Sequence, residues 1–212
     1  MRKNAFTMIE LVLVIVVLGI LAALAVPRLE QDHRQEAADN ILSAIRYTQH
    51  LALIDDKHEF NNPNWIKKLW QIRFDTGSSA AGFSYLIASN ENGDSQIAQS
   101  ETAIDPSNGK YFYNQNANPT IASTESPNVF IGKKYGVDSI TFQGGCAGSQ
   151  HIAFDHLGRP HVNIYSASND YATYMSSDCN ITFSSSNGAF DPFSIIITKE
   201  TGYAYIDGQP DS

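Results

Sequence analysis

The chain has 212 residues, of which 14 are Lys or Arg and 22 are Asp or Glu, giving a formal net charge of −8. This acidic balance disfavours a general nucleic-acid-binding surface, because such surfaces carry an excess of basic side chains. The length is sufficient for one globular domain in addition to a membrane segment.

Residues 6–26 (FTMIELVLVIVVLGILAALAV) are an apolar stretch of 21 residues with a single charge, Glu10. As a helix they would extend about 32 Å, close to the ~30 Å hydrocarbon core of a bilayer. The stretch has no polar face, which favours a membrane helix over a surface helix. Arg2 and Lys3 precede it and predict a cytoplasmic amino end. No Ala-x-Ala site follows it, which disfavours a removed secretory signal peptide.

A carboxylate inside an apolar span costs about 2.5–3.5 kcal/mol on insertion scales, so Glu10 calls for a functional explanation. Residues 5–12 (AFTMIELV) resemble the processing site of type IV pilins and type II secretion pseudopilins. The resemblance implies a leader, residues 1–5, that a prepilin peptidase removes by cutting between Ala5 and Phe6. It also implies N-methylation of the new amino terminus. The family usually has glycine before the cut, where this chain has Ala5.

By the same resemblance, Glu10 and Pro27 occupy the family's positions for assembly, the fifth and twenty-second residues of the mature chain. In a fibre of helices packed side by side, Glu10 of one subunit would neutralise the amine of Phe6 in its neighbour and fix the register. The alternative is that the Glu10 side chain only extends toward the cytoplasmic face. The implied partners are other pilin or pseudopilin subunits, the prepilin peptidase, an inner-membrane assembly platform and membrane lipid; no cofactor is expected.

Beyond Pro27, apolar or small residues recur at steps of four and three, as on one face of a helix. These positions are Ala37, Ile41, Ala44, Thr48 and Leu51. We predict one helix over residues 6–54, bent or locally loosened near Pro27, with an amphipathic second part, residues 27–54, packed on the following domain. Gly19 and Ala23 form a small-xxx-small pair that suits close helix packing in lipid, although ordinary glycine and alanine usage explains the pair equally well.

Residues 55–212 are predicted to form a periplasmic head rich in antiparallel β-structure. Alternating apolar residues predict a hairpin of two strands, around 70–74 and 83–87, joined by a turn over 76–82. The polar residues 89–127 are predicted to be an insertion with short elements of its own. Further strands are expected around 137–142, 152–154, 162–164, 181–183, 193–198 and 203–206. One long amino-terminal helix packed on such a head is an α+β fold, and it resembles the pseudopilin architecture.

Two later stretches, residues 154–160 and 195–206, resemble hairpins of the minor pseudopilins of the H-subunit type and their pilus-associated relatives. The subtype therefore expected is a minor pseudopilin of that type. A major pilin usually has a shorter and simpler head than the insertion-bearing head predicted here.

Cys146 and Cys179 are the only cysteines of the chain. In an oxidising, extracytoplasmic compartment two such thiols are expected to pair, the alternative being two free buried thiols. The bridge would close a loop of about 34 residues, for which the chain-entropy model gives a stabilisation of about 4 kcal/mol.

No catalytic motif points to an enzyme, and no metal site is expected. His151, His156 and His161 surround a predicted hairpin, across which His151 and His161 would face each other, but no acidic or cysteine cluster completes a metal site. Residues 90–94 (NENGD) loosely resemble a calcium loop but lack its distal bidentate glutamate, and are more simply an Asn-Gly turn.

Two functions remain open at this point, with an unprocessed single-pass membrane protein as a third possibility. The first is a structural subunit of a periplasmic fibre, in a type II secretion system or a type IV pilus. The second is a minor pilin whose head binds DNA or a secreted substrate. A local basic patch would serve DNA binding, although scattered solvated cations explain the same residues and nucleic acid is not an expected partner. The patch would consist of Lys67, Lys68, Lys133, Lys134 and Arg159.

Overall fold

The computed structural model describes residues 7–62, 64–77, 82–94, 96–114, 120–166 and 171–212. Within this set, the side chains of residues 22–32 and 171 are not described. The predicted processing site, Ala5 and Phe6, therefore lies outside the described residues, as do the side chains of Ala23 and Pro27.

A single helix, α1 (Met8–Ile54), extends over 47 residues. It begins after Thr7, whose main-chain oxygen accepts from the Glu10 N–H at 3.1 Å. It ends at Asp55, whose N–H donates to the Leu51 carbonyl oxygen. The prediction of one long helix is confirmed, and the helical assignment continues through position 27.

In the part of the chain that the structure describes, eight strands and a second, short helix follow α1. The helix is α2 (Ile131–Tyr135), which sequence reasoning did not predict, and it ends at Gly136 in the left-handed conformation with φ of 81°. The strands are β1 (Trp70–Thr76), β2 (Phe83–Ser89), β3 (Ser139–Gly144), β4 (His151–Phe154), β5 (Pro160–His161), β6 (Cys179–Ser184), β7 (Phe193–Ile197) and β8 (Ala204–Ile206). Short 3-10 helices lie at Trp65–Lys68, Gln99–Glu101, Pro127–Val129 and Tyr171–Thr173.

The strands of the described residues form two four-stranded sheets, in the orders β2-β1-β4-β5 and β3-β6-β7-β8. All the strand pairs are antiparallel. The predicted β1–β2 hairpin is present, and its register runs from Trp70 opposite Ser89 to Thr76 opposite Phe83. The α+β fold class is therefore confirmed, with an amino-terminal helix packed on antiparallel sheets.

One hydrophobic core joins α1 to both sheets. The predicted stripe of α1 supplies fully buried side chains such as Ile41, and Ile45 beside it is equally buried. Phe74 of the first sheet lies 5.7 Å, between ring centroids, from Phe183 of the second. Burial alternates along β6 and β7, so each of these strands turns one face to this core and the other away from it.

The predicted strand at residues 162–164 is wrong. The strand β5 ends at His161, and Asn163 takes a left-handed conformation with φ of 56°. Asparagine tolerates this conformation better than other non-glycine residues, and extended pairing cannot continue through it. Ile164 is buried in a second, smaller cluster with Trp65, Ile66 and Leu69. The alternation that suggested a strand reflects burial in that cluster.

Candidate assembly surface

The first half of α1 carries a continuous exposed apolar surface. Every side chain from position 7 to position 21 is exposed. The large apolar side chains among them are Met8, Ile9, Leu11, Val12, Leu13, Val14, Ile15, Val16, Val17, Leu18, Ile20 and Leu21. Soluble monomers rarely expose contiguous apolar patches beyond a few hundred Å², so this surface requires a covering of lipid or protein. We call it the apolar half of α1.

Among the described residues, no helix has both the length and the apolar character that a membrane span requires. The predicted span, residues 6–26, includes Phe6 and five side chains that are outside the described set. Its assignment to a membrane stays a prediction.

Glu10 lies in the first turn of α1 and is the only acidic residue there. Its main-chain N–H also approaches the Thr7 hydroxyl oxygen at 3.4 Å, so Thr7 caps the helix. A carboxylate in the first turn is favoured by the positive end of the helix dipole. Among the described residues no ion pair involves Glu10.

The second half of α1 is fixed to the head by polar side chains as well as by its apolar stripe. Arg46 donates through Nε and Nη2 to the Ala204 carbonyl oxygen, at 3.1 and 2.7 Å. Its Nη2 also donates to the main-chain oxygen of Ser212. The guanidinium lies 5.6 Å from the ring centroid of Tyr203. Arg46 therefore holds β8 and the chain after it against the helix.

Gln49 joins the β4–β5 turn to the β7–β8 turn. Its Nε2 donates to the carbonyl oxygens of Gly158 and Thr201, each at 2.8 Å. The first carbonyl is in the β4–β5 turn and the second is in the β7–β8 turn, so one amide of α1 connects both sheets. Sequence reasoning missed Arg46 and Gln49, because nothing local distinguishes them from other polar residues beside the apolar stripe.

The predicted disulfide between Cys146 and Cys179 is present, with the two Cα atoms 5.1 Å apart. Both cysteines are fully buried in the main core. Cys179 pairs with Gly144 at one end of the β3–β6 ladder, so the bridge ties the turn after β3 to the start of β6.

A buried carboxylate organises the β4–β5 turn. Asp155 accepts from the Leu157 N–H at 3.0 Å and from the Arg159 N–H at 2.9 Å. Arg159 Nη2 and His161 Nε2 lie 2.7 and 3.5 Å from its Oδ2. Burial would raise the pKa of Asp155, but the contacts with His161 and Arg159 outweigh it and hold the pKa well below its usual range. The Asp155 charge thus acts within the turn as a structural group.

The three histidines do not converge. Ala153, and not His151, is opposite His161 in the β4–β5 ladder, so the expectation that His151 and His161 face each other is wrong. His151 instead lies opposite Arg73 on β1. His156 Nδ1 is 3.5 Å from an Asp56 carboxylate oxygen. No group of three or more metal-ligating side chains occurs in the part of the chain that the structure describes.

The side-chain oxygens of Asn90 and Asn92 accept hydrogen bonds within the turn itself. Asn90 Oδ1 accepts from the Gly93 N–H at 2.6 Å, and Asn92 Oδ1 accepts from the Asp94 N–H at 3.1 Å. Gly93 supplies the positive φ of 71° that the turn requires. The segment is thus folded as an Asn-Gly turn.

The cations of the proposed basic patch are largely engaged with carboxylates. Lys68 pairs with Glu59 and Lys134 pairs with Glu36, each at 3.4 Å. Arg159 is bound to Asp155 as described. These pairs reduce the positive field that a phosphate backbone would require.

The family model of the prokaryotic N-terminal methylation motif matches residues 1–26. Comparison with curated proteins and comparison with solved structures each gave no match. The matched motif supports the type IV pilin and pseudopilin family and a pilin-like subunit that a prepilin peptidase processes. It implies anchoring in a membrane and assembly with other pilins, and it suggests a structural, non-enzymatic subunit.

Proposed function

We propose that this protein is a structural subunit of a periplasmic fibre, in a type II secretion pseudopilus or a type IV pilus. The apolar half of α1 carries the proposal, because it lies within the matched methylation motif and nothing in the described head covers it. Side-by-side packing of such helices, first in lipid and then in a fibre, buries this surface. The head is fixed to the other half of α1 and projects from the fibre.

The proposed organisation follows the four segments of the chain. Residues 1–5 are the leader, 6–26 the membrane and assembly helix, 27–54 its amphipathic continuation, and 55–212 the periplasmic head. Before assembly, the subunit lies in the inner membrane as a single-pass protein with its amino end in the cytoplasm. An inner-membrane platform then inserts it into the fibre. The resemblance of residues 154–160 and 195–206 to hairpins of the minor pseudopilins supports the H-type subunit within this class.

The proposed chemistry of assembly is a single ion pair. Cutting between Ala5 and Phe6 creates an amine that stays basic when it is methylated. Glu10, in the first turn of α1, neutralises the amine of the neighbouring subunit. Both charges are costly in lipid when alone, so pairing favours insertion in one register. Pro27 lies where the lipid-embedded part of the helix gives way to the amphipathic part.

The test compares the wild-type chain with Glu10→Gln, which keeps the shape of the side chain and removes its charge. Mass spectrometry should find both proteins beginning at Phe6 with one N-methyl group, because the cut site is unchanged. Incorporation into sheared fibres should fall about tenfold or more for the variant, since a neighbour's amine then lacks a partner in lipid. Glu200→Gln is the matched control, because Glu200 is an exposed residue of the head.

Two results would contradict the proposal. Recovery of intact Met1–Ala5 from membranes of a peptidase-competent host would remove the processing step. Wild-type incorporation of Glu10→Gln would show that Glu10 has no part in assembly and that helix packing carries it alone.

A further inference from the structure

A cavity of about 550 Å³ lies between α1 and the segments that follow β2. Its principal lining residues are Glu36, Asp39, Tyr47, Asp105, Phe112 and Tyr135. The volume is within the ~300–1,000 Å³ typical of small-molecule sites. It is several times larger than one side chain needs, so the cavity is suited to a whole small ligand.

One wall of the cavity is aromatic. The ring of Phe112 lies 5.8 Å from that of Tyr47 and 6.2 Å from that of Tyr85, measured between centroids. Tyr85 is held by its hydroxyl group, which donates to Asn40 Oδ1 at 3.2 Å. Tyr135 closes another side and contacts Glu36 Oε1 through its hydroxyl group at 3.4 Å. These faces offer both apolar contact and the negative potential of aromatic rings.

The charge of the cavity lining is negative. Glu36, Asp39 and Asp105 carry three carboxylates, and Lys134 is the one cation among the described lining residues. Lys134 is already bound to Glu36 at 3.4 Å. Asp39 lies on the exposed side of α1 and accepts from the Gln35 side-chain amide at 2.9 Å.

Asp105 is nearly completely buried and remains ionised. Its carboxylate accepts from the Ser126 hydroxyl at 2.5 Å and from the Asn128 amide at 2.9 Å. Burial would raise the pKa of Asp105, but hydrogen bonds from Ser107, Ser126 and Asn128 hold it below its usual range. Burial raises the pKa of Tyr47, and the negative charge of Asp105 raises it further. The carboxylate therefore projects a negative field into the aromatic wall.

We propose that this cavity binds a small organic cation, an ammonium or guanidinium group carried on an apolar body. The body packs against the aromatic wall, and the cation lies among the carboxylates and the ring faces. Three carboxylates would repel an anion, and a neutral ligand would gain no attraction from their negative charge. The proposal is independent of fibre assembly, because it concerns the head of a dispersed subunit.

The test is a ligand titration followed by NMR, with the full-length chain in detergent solution. The probes are 2-phenylethylammonium and its neutral counterpart of similar shape, 2-phenylethanol. The cation should bind saturably to one site, about tenfold more tightly than the alcohol. The double variant Glu36→Gln/Asp39→Asn should weaken binding of the cation about tenfold and change binding of the alcohol less than about twofold. Tyr47→Leu should weaken binding of both probes.

Glu200→Gln removes an exposed carboxylate outside the cavity and should leave binding of both probes unchanged. Fluorescence of Trp65 and Trp70 verifies that each variant is folded, since both tryptophans are in the head. Equal affinity for the two probes, or an unchanged affinity for the cation in the double variant, would overturn the proposal. Absence of saturable binding of the cation to the wild-type chain would overturn it as well.

Discussion

Gly202→Ala should destabilise the head through two separate effects. Gly202 lies in the β7–β8 turn with φ of 67°, a conformation that costs an L-residue about 1–2 kcal/mol. An added Cβ atom would lie 2.3 Å from the Gly158 carbonyl oxygen and 2.7 Å from Gln49 Nε2. It would also lie 3.0 Å from the ring of Phe154. Such overpacking costs about 1–3 kcal/mol, because two turns and a helix must move apart.

The expected loss in free energy of unfolding for Gly202→Ala is therefore about 2–5 kcal/mol. Gly208→Ala is the matched control, since Gly208 has φ of 82° and open space around the position of its Cβ. The control should lose only about 1–2 kcal/mol, the cost of the backbone conformation alone. The difference between the two variants isolates the contact that joins the hairpins to Gln49.

The assay is urea unfolding of the full-length chain in detergent, followed by tryptophan fluorescence. The chain has two tryptophans, Trp65 and Trp70, so the signal reports the head and not the apolar half of α1. Equal destabilisation by Gly202→Ala and Gly208→Ala would refute the reasoning, because it would mean that the two turns are not in close contact.

Two further predictions concern the disulfide and the half-buried His151. Cys146→Ala/Cys179→Ala should lower the free energy of unfolding by about 4 kcal/mol in the same assay, because the unfolded chain loses the constraint of the loop that the bridge closes. A loss under about 1 kcal/mol would contradict this prediction. Burial, aided by the charge of Arg73, lowers the pKa of His151 from 6.5 to about 4. As the pH falls, the unfolded chain therefore protonates His151 before the folded chain does. The free energy of unfolding should decrease as the pH is lowered from about 6.5 to about 4, by at most about 3 kcal/mol. His151→Gln should flatten the profile in this window, and an unchanged profile would show that other groups cause the fall.

Sequence patterns that depend on near neighbours predicted most of the fold. The stripe of α1 repeats every three or four residues and the strands alternate every two, so both appear within a short window. The β1–β2 hairpin was predicted with its turn for the same reason. The alternation of apolar residues at 162–164 gave a wrong strand prediction. Ile164 is apolar because it is buried beside Trp65, and the left-handed backbone of Asn163 prevents a strand there.

The sequence by itself determined the processing motif, the apolar half of α1, the α+β class and the pairing of Cys146 with Cys179. Each of these depends on local order, on composition or on there being only two cysteines. Only the tertiary structure decided that Gln49 joins the turns at Gly158 and Thr201, which are 109 and 152 residues away along the chain. It also decided that carboxylates from α1 and from Asp105 face the same aromatic wall. Such contacts depend on how two sheets close over a helix, and the sequence around each residue alone does not contain that information.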